Sequence, residues 1–384
     1  MTNCKSKAIF SVLVIAVLTT SLFSGCSGQG QETSAVQSTN DTSAVSQAES
    51  TPQKSSTLQM SSEQEQEYSD NEAPFVEWSD ENREKFNVPA DYQPTSNDAF
   101  EYSEYNNTTL TGNGRLDIHG IVITKYTGTD TDVRIPVTIT EGGVEYTVVE
   151  ISDSAFANNT IIKSVTVPNI SYDGRSRVLH SAFRGCTSLE KATLYTPFAA
   201  QDMFNGCTSL KEVVMCNKTE KGTIEDRAFS DCSSLKEFIC DNHMEQISGN
   251  AFNNCSSLEK AVFNGGVESV TGFQGCSSLK TFEFKDTRII KGGAFEGCTS
   301  LTEITIPEMV EEIGSRAFYN CTNLKKITVE GKDTQIGSNC FGFYPTDTKD
   351  YEKVEGLVIY NAGKLSKAHA YAVAQEFTSR TIGS

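Results

Sequence analysis

The chain has 384 residues, 37% of them apolar, and a formal net charge of −18. That length would hold two or three ordinary domains, yet the low apolar content implies that part of the chain never joins a core. The acidity argues against a nucleic-acid binder, which needs a basic face to meet phosphate.

Residues 1–26 read as an export signal: Lys5 and Lys7 give a positive start, an apolar run over residues 8–18 follows, and small residues lead to Cys26. The run is short for a transmembrane helix. Phe23-Ser24-Gly25-Cys26 resembles the bacterial lipobox, although leucine is more usual at its first position and Leu22 lies one place early. The resemblance implies diacylglycerol on Cys26, and a lone cysteine closing a signal after Ser-Gly favours it. The plainer alternative is an ordinary signal cut near Gly25. A residue carrying several acyl chains anchors firmly, at about 0.8 kcal/mol per buried methylene.

Residues 27–96 are dominated by Ser, Thr, Gln, Asn and Glu, with no Phe, Ile or Trp before Phe75. Over residues 27–105 there are 16 Asp or Glu against three Lys or Arg, so this stretch holds most of the net charge. Such a composition buries too little apolar surface to offset the entropy of ordering, which predicts a disordered acidic tether. Within it, residues 75–86 carry the only tryptophan, Trp78, and Ser79 is a candidate cap for a short helix over residues 80–86. Two readings stay open there: a turn docked on the domain, or a transient helix in a linker.

Beyond residue 150 the chain repeats itself. SAFRGCTSLEKATL, DMFNGCTSLKEVVM, RAFSDCSSLKEFIC, NAFNNCSSLEKAVF, GFQGCSSLKTFEF, GAFEGCTSLTEITI and RAFYNCTNLKKITV are seven copies of one phrase. A degenerate copy, SAFANNTIIKSVTV, precedes them, and Cys340-Phe341 begins another. The phenylalanines Phe156, Phe183, Phe204, Phe229, Phe252, Phe273, Phe295, Phe318 and Phe341 recur every 21 to 27 residues, below the period of helical repeats. In each copy the alternation of Leu210-Lys211-Glu212-Val213-Val214-Met215 predicts a short strand after a tight corner, with Val213 and Met215 inward and Glu212 and Val214 outward. Phe204 and Cys207 would fill the opposite wall of the coil. One copy buries too little to fold alone and depends on stacking.

This Ala-Phe-x-x-Cys-x-x-Leu phrase resembles the Treponema-type, or BspA-like, leucine-rich repeats of bacterial surface proteins, over roughly residues 110–384. The resemblance implies a leucine-rich-repeat solenoid, β-rich, with parallel strands on a concave face. It also implies an N-terminal β cap unit over 97–150, repeats over 151–355, and a short C-terminal helical cap over 356–384. The opening unit is marked by Ile121, Ile123, Ile135 and Ile151. In the closing one, Gly356 to Tyr360 leads into a helix-prone stretch with Ala368, Ala370, Tyr371 and Ala374. Its functional implication is adhesion to host or neighbouring cells.

The cysteines at one place in the repeat, Cys186, Cys207, Cys232, Cys255, Cys276, Cys298 and Cys321, look at first like a disulfide or metal framework. Stacked rungs put equivalent side chains about 4.8 Å apart and parallel, whereas a disulfide wants converging Cβ atoms about 3.8 Å apart. A line of thiols cannot surround one metal ion either. They read as buried free thiols acting as small fillers, with Cys216 and Cys240 as a minor disulfide alternative. His119, His180, His243 and His369 are scattered, and no hydrolase, zincin or P-loop phrase is present. We expect no enzyme and no cofactor.

The outward strand positions form the candidate site. One row runs Thr193, Val214, Ile239, Val262 and Glu283; its neighbours include Glu212, Glu237 and Lys260 on one side and Tyr195 on the other. Val214, Ile239 and Val262 make an apolar stripe rimmed by charge, which often marks a partner site. Equally, β-branched residues simply favour strands. The expectation is a cell-surface binding or adhesion protein on the extracellular face of the bacterial membrane, taking an extracellular protein or glycan. The alternative is a polysaccharide-capture accessory serving separate enzymes, for which aromatic platforms are scarce.

Overall fold

The computed structural model describes Phe86, residues 88–89, 91–111, 114–170, 179–216, 221–347 and 351–383, with only the backbone described for 107–111 and 114–119. The export signal, Cys26, the tether as far as residue 85, Trp78 and the side chain of His119 lie outside the described residues.

Each copy turns once around a common core. A four-residue strand follows the leucine, a corner leads to a second short strand, and the Phe-Cys turn returns the chain to the next rung. The first strands form a parallel front sheet of six, in the order Asp132–Arg134, Ser164–Val167, Lys191–Leu194, Glu212–Met215, Glu237–Cys240 and Lys260–Phe263. Four more, Glu303–Ile306, Lys326–Val329, Val358–Asn361 and Thr378–Thr381, form a separate parallel sheet. Alternation puts Ala192, Leu194, Val213, Met215, Phe238 and Cys240 inside with no solvent exposure.

The opposite wall is more than a stack of side chains. Seven very short strands, from Phe198–Ala199 through Met244–Ile247 and Val267–Val270 to Gln335–Ile336, form a second parallel sheet. They bury Ile224, Ile247, Val270, Ile290 and Ile313 just ahead of each Phe-Cys turn.

The turn stacks its rings. Phe204 lies 5.5 Å from Phe229, Phe229 lies 5.2 Å from Phe252, and Phe252 lies 4.9 Å from Phe273, with planes within 12° of parallel. The residue before each cysteine has a positive φ: 73° at Gly206, 59° at Asp231, 60° at Asn254 and 58° at Asn320. Only glycine and the short amide or acid side chains adopt that left-handed conformation at little cost, which accounts for their recurrence there.

The cysteines are free thiols, as expected, but they do more than fill space. Cys207 donates its S–H to the Phe183 carbonyl at 3.1 Å, Cys232 to Phe204 at 3.2 Å, Cys255 to Phe229 at 3.1 Å and Cys276 to Phe252 at 3.2 Å. Each is a second donor to a buried carbonyl of the preceding rung, which also accepts the backbone N–H of the cysteine in its own turn, as Phe229 does from Cys232 at 3.2 Å. Burial pushes the Cys321 thiol up to about 12, and raises Cys232, Cys255 and Cys298 as well. Thiols held protonated are poor nucleophiles and resist oxidation. Cys216 and Cys240 are not bridged, because Cys240 points into the core while Cys216 sits half-exposed past the end of its strand.

The ends are closed differently from the middle. At the start, Phe100–Thr111 pairs antiparallel with Gly114–Tyr126, an extra hairpin strand that the alternation did not suggest. Just ahead of it, in the segment that composition assigns to the tether, Phe86 and Tyr92 are buried. The Phe86 carbonyl accepts the Asn169 N–H at 3.0 Å, and the Tyr92 hydroxyl donates to the Ile135 carbonyl at 2.8 Å. At the far end the helix is shorter than the helix-prone stretch, Lys367–Ala374, capped by the Ser366 side chain, and a further strand, Thr378–Thr381, follows it.

One ion pair ties neighbouring turns. Arg227 grips Asp202 through Nε and Nη2, both at 2.8 Å, and holds that carboxyl below the usual carboxylate range. With a folded pKa below its unfolded value of about 3.9, Asp202 contributes stability above that value and loses it as pH falls through the folded pKa. The gap in urea midpoint between the wild type and Asp202→Asn is expected to be widest above about pH 5 and to shrink below about pH 3. A gap that stays constant down to the acid end would remove the pair from the account.

Candidate functional site: the outward face of the front sheet

The structure brings most of the expected row together in register. Thr193 pairs with Val214, Val214 with Ile239, and Ile239 with Val262. Thr166 extends the row on one side. These side chains are half-buried, because β-branched neighbours shield one another across the sheet. The stripe is therefore continuous from Thr166 to Val262.

The charged rim pairs with itself. Lys191 meets Glu212 at 2.8 Å and Lys260 meets Glu237 at 3.3 Å, each across one rung. These exposed pairs are screened by solvent. They leave the rim nearly neutral locally, so the apolar stripe, and not a field of one sign, dominates this face. Tyr195 lies just past the end of its strand, half-buried, at the corner that the Tyr92 segment approaches.

Glu283 does not sit on a regular strand. The alternation of Thr281-Phe282-Glu283-Phe284 predicts one, but this rung meets its predecessor in a single bridge, Lys260 to Thr281, and the front sheet ends there. Among the described residues, it is the rung with phenylalanine at both inward strand positions. Other rungs use Ala192 with Leu194, Val213 with Met215, or Ile304 with Ile306. Phe282 and Phe284 crowd each other at 4.9 Å and press on Phe295 at 5.0 and 5.7 Å. Excess volume in a packed core moves backbone, and here it lifts the strand off its ladder. Solvent reaches the core at this point alone along the front strands from Lys191 to Val329. Ala261, Phe263, Phe282, Phe284 and Ile304 are 4 to 7% exposed, where their counterparts in the other rungs are fully buried.

A cleft of about 230 Å³ opens beside the lifted rung, between residues 260–264 and residues 281–285. Lys260, Val262, Asn264, Thr281, Glu283 and Lys285 line it. Lys285 Nζ donates to the Asn264 carbonyl, and Asn264 Nδ2 to Asp241 Oδ1 at 2.7 Å. The sequence signal for this opening is the doubled phenylalanine, which the alternation alone does not flag.

On the far side of the coil, His243 bridges the Gly265 carbonyl and Glu268, both at 2.9 Å, and Lys221 reaches Glu268 at 3.0 Å. The Glu268 carboxylate raises the His243 pKa. The cluster ties three rungs together. Among the described residues no group of three His, Cys, Asp or Glu side chains is placed to hold a metal, and no helix is long and apolar enough to cross a membrane.

Past the interruption the outward row resumes as Thr305, Thr328, Tyr360 and Arg380. Tyr360 adds an aromatic that the sequence rows stopped short of, with Lys326 Nζ 5.9 Å from its ring centre.

The profile of the BspA type leucine-rich-repeat region matches residues 149–272 and 269–349, in six copies, more than half of the chain. No curated protein matches it in sequence. Among solved structures, the leucine-rich-repeat protein of T. pallidum is 23% identical, over 64% of this chain and 86% of that one, with a TM-score of 0.34. A leucine-rich cell surface protein from Faecalibacterium prausnitzii is 25% identical, over 67% of this chain and 70% of that one, with a TM-score of 0.39. A leucine-rich-repeat protein from Bacteroides ovatus is 18% identical, over 73% of this chain and 98% of that one, with a TM-score of 0.30.

Proposed function

Since the chain belongs to the BspA type leucine-rich-repeat family, we propose that it is a non-catalytic binding protein of the bacterial cell surface that holds an extracellular partner on the outward face of its front sheet. The observation that carries this reading is the stripe Thr193, Val214, Ile239 and Val262, held in register by the ladder and bordered on one side by a row whose charges cancel in pairs. A rigid apolar strip between polar rows is the composition of a protein interface core and rim. In this reading Cys26 carries the lipid and the acidic stretch is the spacer that holds the solenoid away from the membrane. The partner is a protein or glycan of host or neighbouring cells, and the role is adhesion.

Beads coated with the chain are expected to adhere to such cells. The combined variant Val214→Glu, Ile239→Lys, Val262→Glu is expected to lose about tenfold or more of that adhesion, with an unchanged far-UV circular dichroism spectrum. Full adhesion by the variant would move the site elsewhere. A second reading, polysaccharide capture for separate enzymes, draws on Tyr195 and Tyr360 as aromatic positions towards the two ends of the face; binding confined to polysaccharide surfaces would select it.

A further inference from the structure

The last phenylalanine-led turn departs from the others. In a regular turn Cys321 follows Phe318, and the Leu324 N–H donates to the Cys321 carbonyl at 3.0 Å. In the last one the Leu357 N–H donates to the Val354 carbonyl at 3.5 Å, so the buried Val354 holds the place of the thiol. Residues 343–353 are therefore an insertion in the turn, with Phe343–Pro345 paired antiparallel to Tyr351–Lys353. Insertions in a solenoid repeat fall on one face and are common carriers of binding residues.

The inserted pair lies back on the preceding turn, where the Asn320 N–H donates to the Phe343 carbonyl at 2.7 Å. Phe343 is buried against Phe377, with ring centres 5.5 Å apart, and core packing accounts for it. Core packing does not account for Tyr351. That ring is 58% exposed, the most exposed aromatic side chain among the described residues. Tyr319 at 6.3 Å and Phe343 at 6.4 Å meet it at 88° and 73°, so two neighbours brace the ring while more than half of its surface stays in water. Beside it the Arg316 guanidinium lies 4.1 Å from the Tyr319 ring centre and pairs with Glu296 at 2.8 Å. This ion pair faces solvent and its charges cancel.

We infer that Tyr351 is the stacking platform of a second binding site, which takes a neutral pyranose unit of a glycan and hydrogen-bonds it through Arg316 and Glu296. The site belongs to the turn side of the coil, apart from the outward row of the front sheet, so it goes beyond the stripe and does not depend on it. Three observations select that occupant. A pyranose has an apolar C–H face ringed by hydroxyls, and a braced aromatic ring open to solvent matches the apolar face. Each sugar hydroxyl both donates and accepts, and a guanidinium beside a carboxylate offers both partners in one place. The pair lies within about 10 Å of the Tyr351 ring, the reach of one or two sugar units, and its cancelled charge favours an uncharged ligand over an acidic one. On the front sheet, by contrast, Tyr195 and Tyr360 are half-buried.

The test uses the whole chain and hexasaccharides of glucose, mannose, xylose and N-acetylglucosamine, with a hexamer of galacturonic acid as the charged counterpart. At least one neutral hexamer is expected to bind, with saturation of the protein's aromatic protons passing to the sugar's ring C–H protons in NMR. Tyr351→Ala is expected to weaken that binding about tenfold or more. Tyr351→Phe keeps the ring face and is expected to stay within about threefold of the wild type. Because the ring is exposed, both variants should keep the wild-type urea midpoint. Arg316→Ala with Glu296→Ala is the second variant; it spares Tyr351, removes the polar partners and is expected to cost about tenfold as well. No binding of any neutral hexamer at concentrations on the order of 1 mM, undiminished binding by Tyr351→Ala, or binding of the galacturonic acid hexamer alone would each overturn the inference. Equal losses in Tyr351→Phe and Tyr351→Ala would make the hydroxyl the contact and overturn the stacking. The Val214, Ile239, Val262 variant separates this site from the stripe. If it binds the hexamers normally but keeps full cell adhesion, the stripe reading fails and the Tyr351 site stands. If it loses the hexamers, the sugar lies on the front sheet and the Tyr351 site falls.

Discussion

Phe252→Ala is expected to lower the free energy of unfolding by about 3–5 kcal/mol. The ring has no solvent exposure and is stacked between Phe229 at 5.2 Å and Phe273 at 4.9 Å, with Phe238 edge-on at 4.8 Å. Truncation leaves a hole that the two neighbouring rings cannot fill, because each is fixed by its own rung. Stacked pairs of this geometry add about 0.5–1.5 kcal/mol each beyond the area they bury, which places the loss in the upper half of the range. In a stack where each rung touches only its neighbours, the same change also weakens coupling between the two halves. Urea unfolding followed by circular dichroism should show a lower midpoint, and splitting into two transitions would be consistent with it. A loss below about 1 kcal/mol would mean that the ring is not the interior contact described.

The second large effect concerns the thiol ladder. Cys255→Ala is expected to cost about 1 kcal/mol or somewhat more, because the Phe229 carbonyl would lose its thiol donor and keep only the Cys232 N–H at 3.2 Å, while the buried sulfur's packing is lost as well. Cys255→Ser should recover part of that loss, since its hydroxyl can donate along the same line. If the cysteine were only a small apolar filler, the order would invert: alanine would be tolerated and serine, the more polar residue, would be worse. Comparing the two midpoints at equal pH decides between the readings.

The front sheet was legible in the sequence because four-residue strands with strict alternation, repeated with little drift, leave one register and one face. The same logic failed at residues 281–284. The alternation there is intact, but the ladder depends on the volume of the two inward side chains, and two phenylalanines exceed what their neighbours admit. The second sheet was missed for a different reason: Ile289–Ile290 or Gln335–Ile336 is too short to show any period. Phe86 closes the stretch for which a docked turn stayed open, whereas Tyr92 was hidden by its surroundings, a single aromatic in a polar stretch whose burial depends on a surface that composition does not reveal. The candidate stripe was read correctly as a row, yet its charged border looked like a binding rim until the spacing of Lys191 to Glu212 and of Glu237 to Lys260 showed the charges spent on one another.

The ring stack also bears on how such a face changes in extent. A regular rung offers its successor the same three attachments: a phenylalanine face, a carbonyl that takes a thiol as its second donor, and a strand edge. A duplicated copy inserted on either side of residues 260–285 would find all three in place, and each insertion would lengthen the face by about 5 Å. The lifted rung interrupts the third of these attachments, so it marks a fixed seam between two segments whose lengths can drift independently by gain or loss of whole copies.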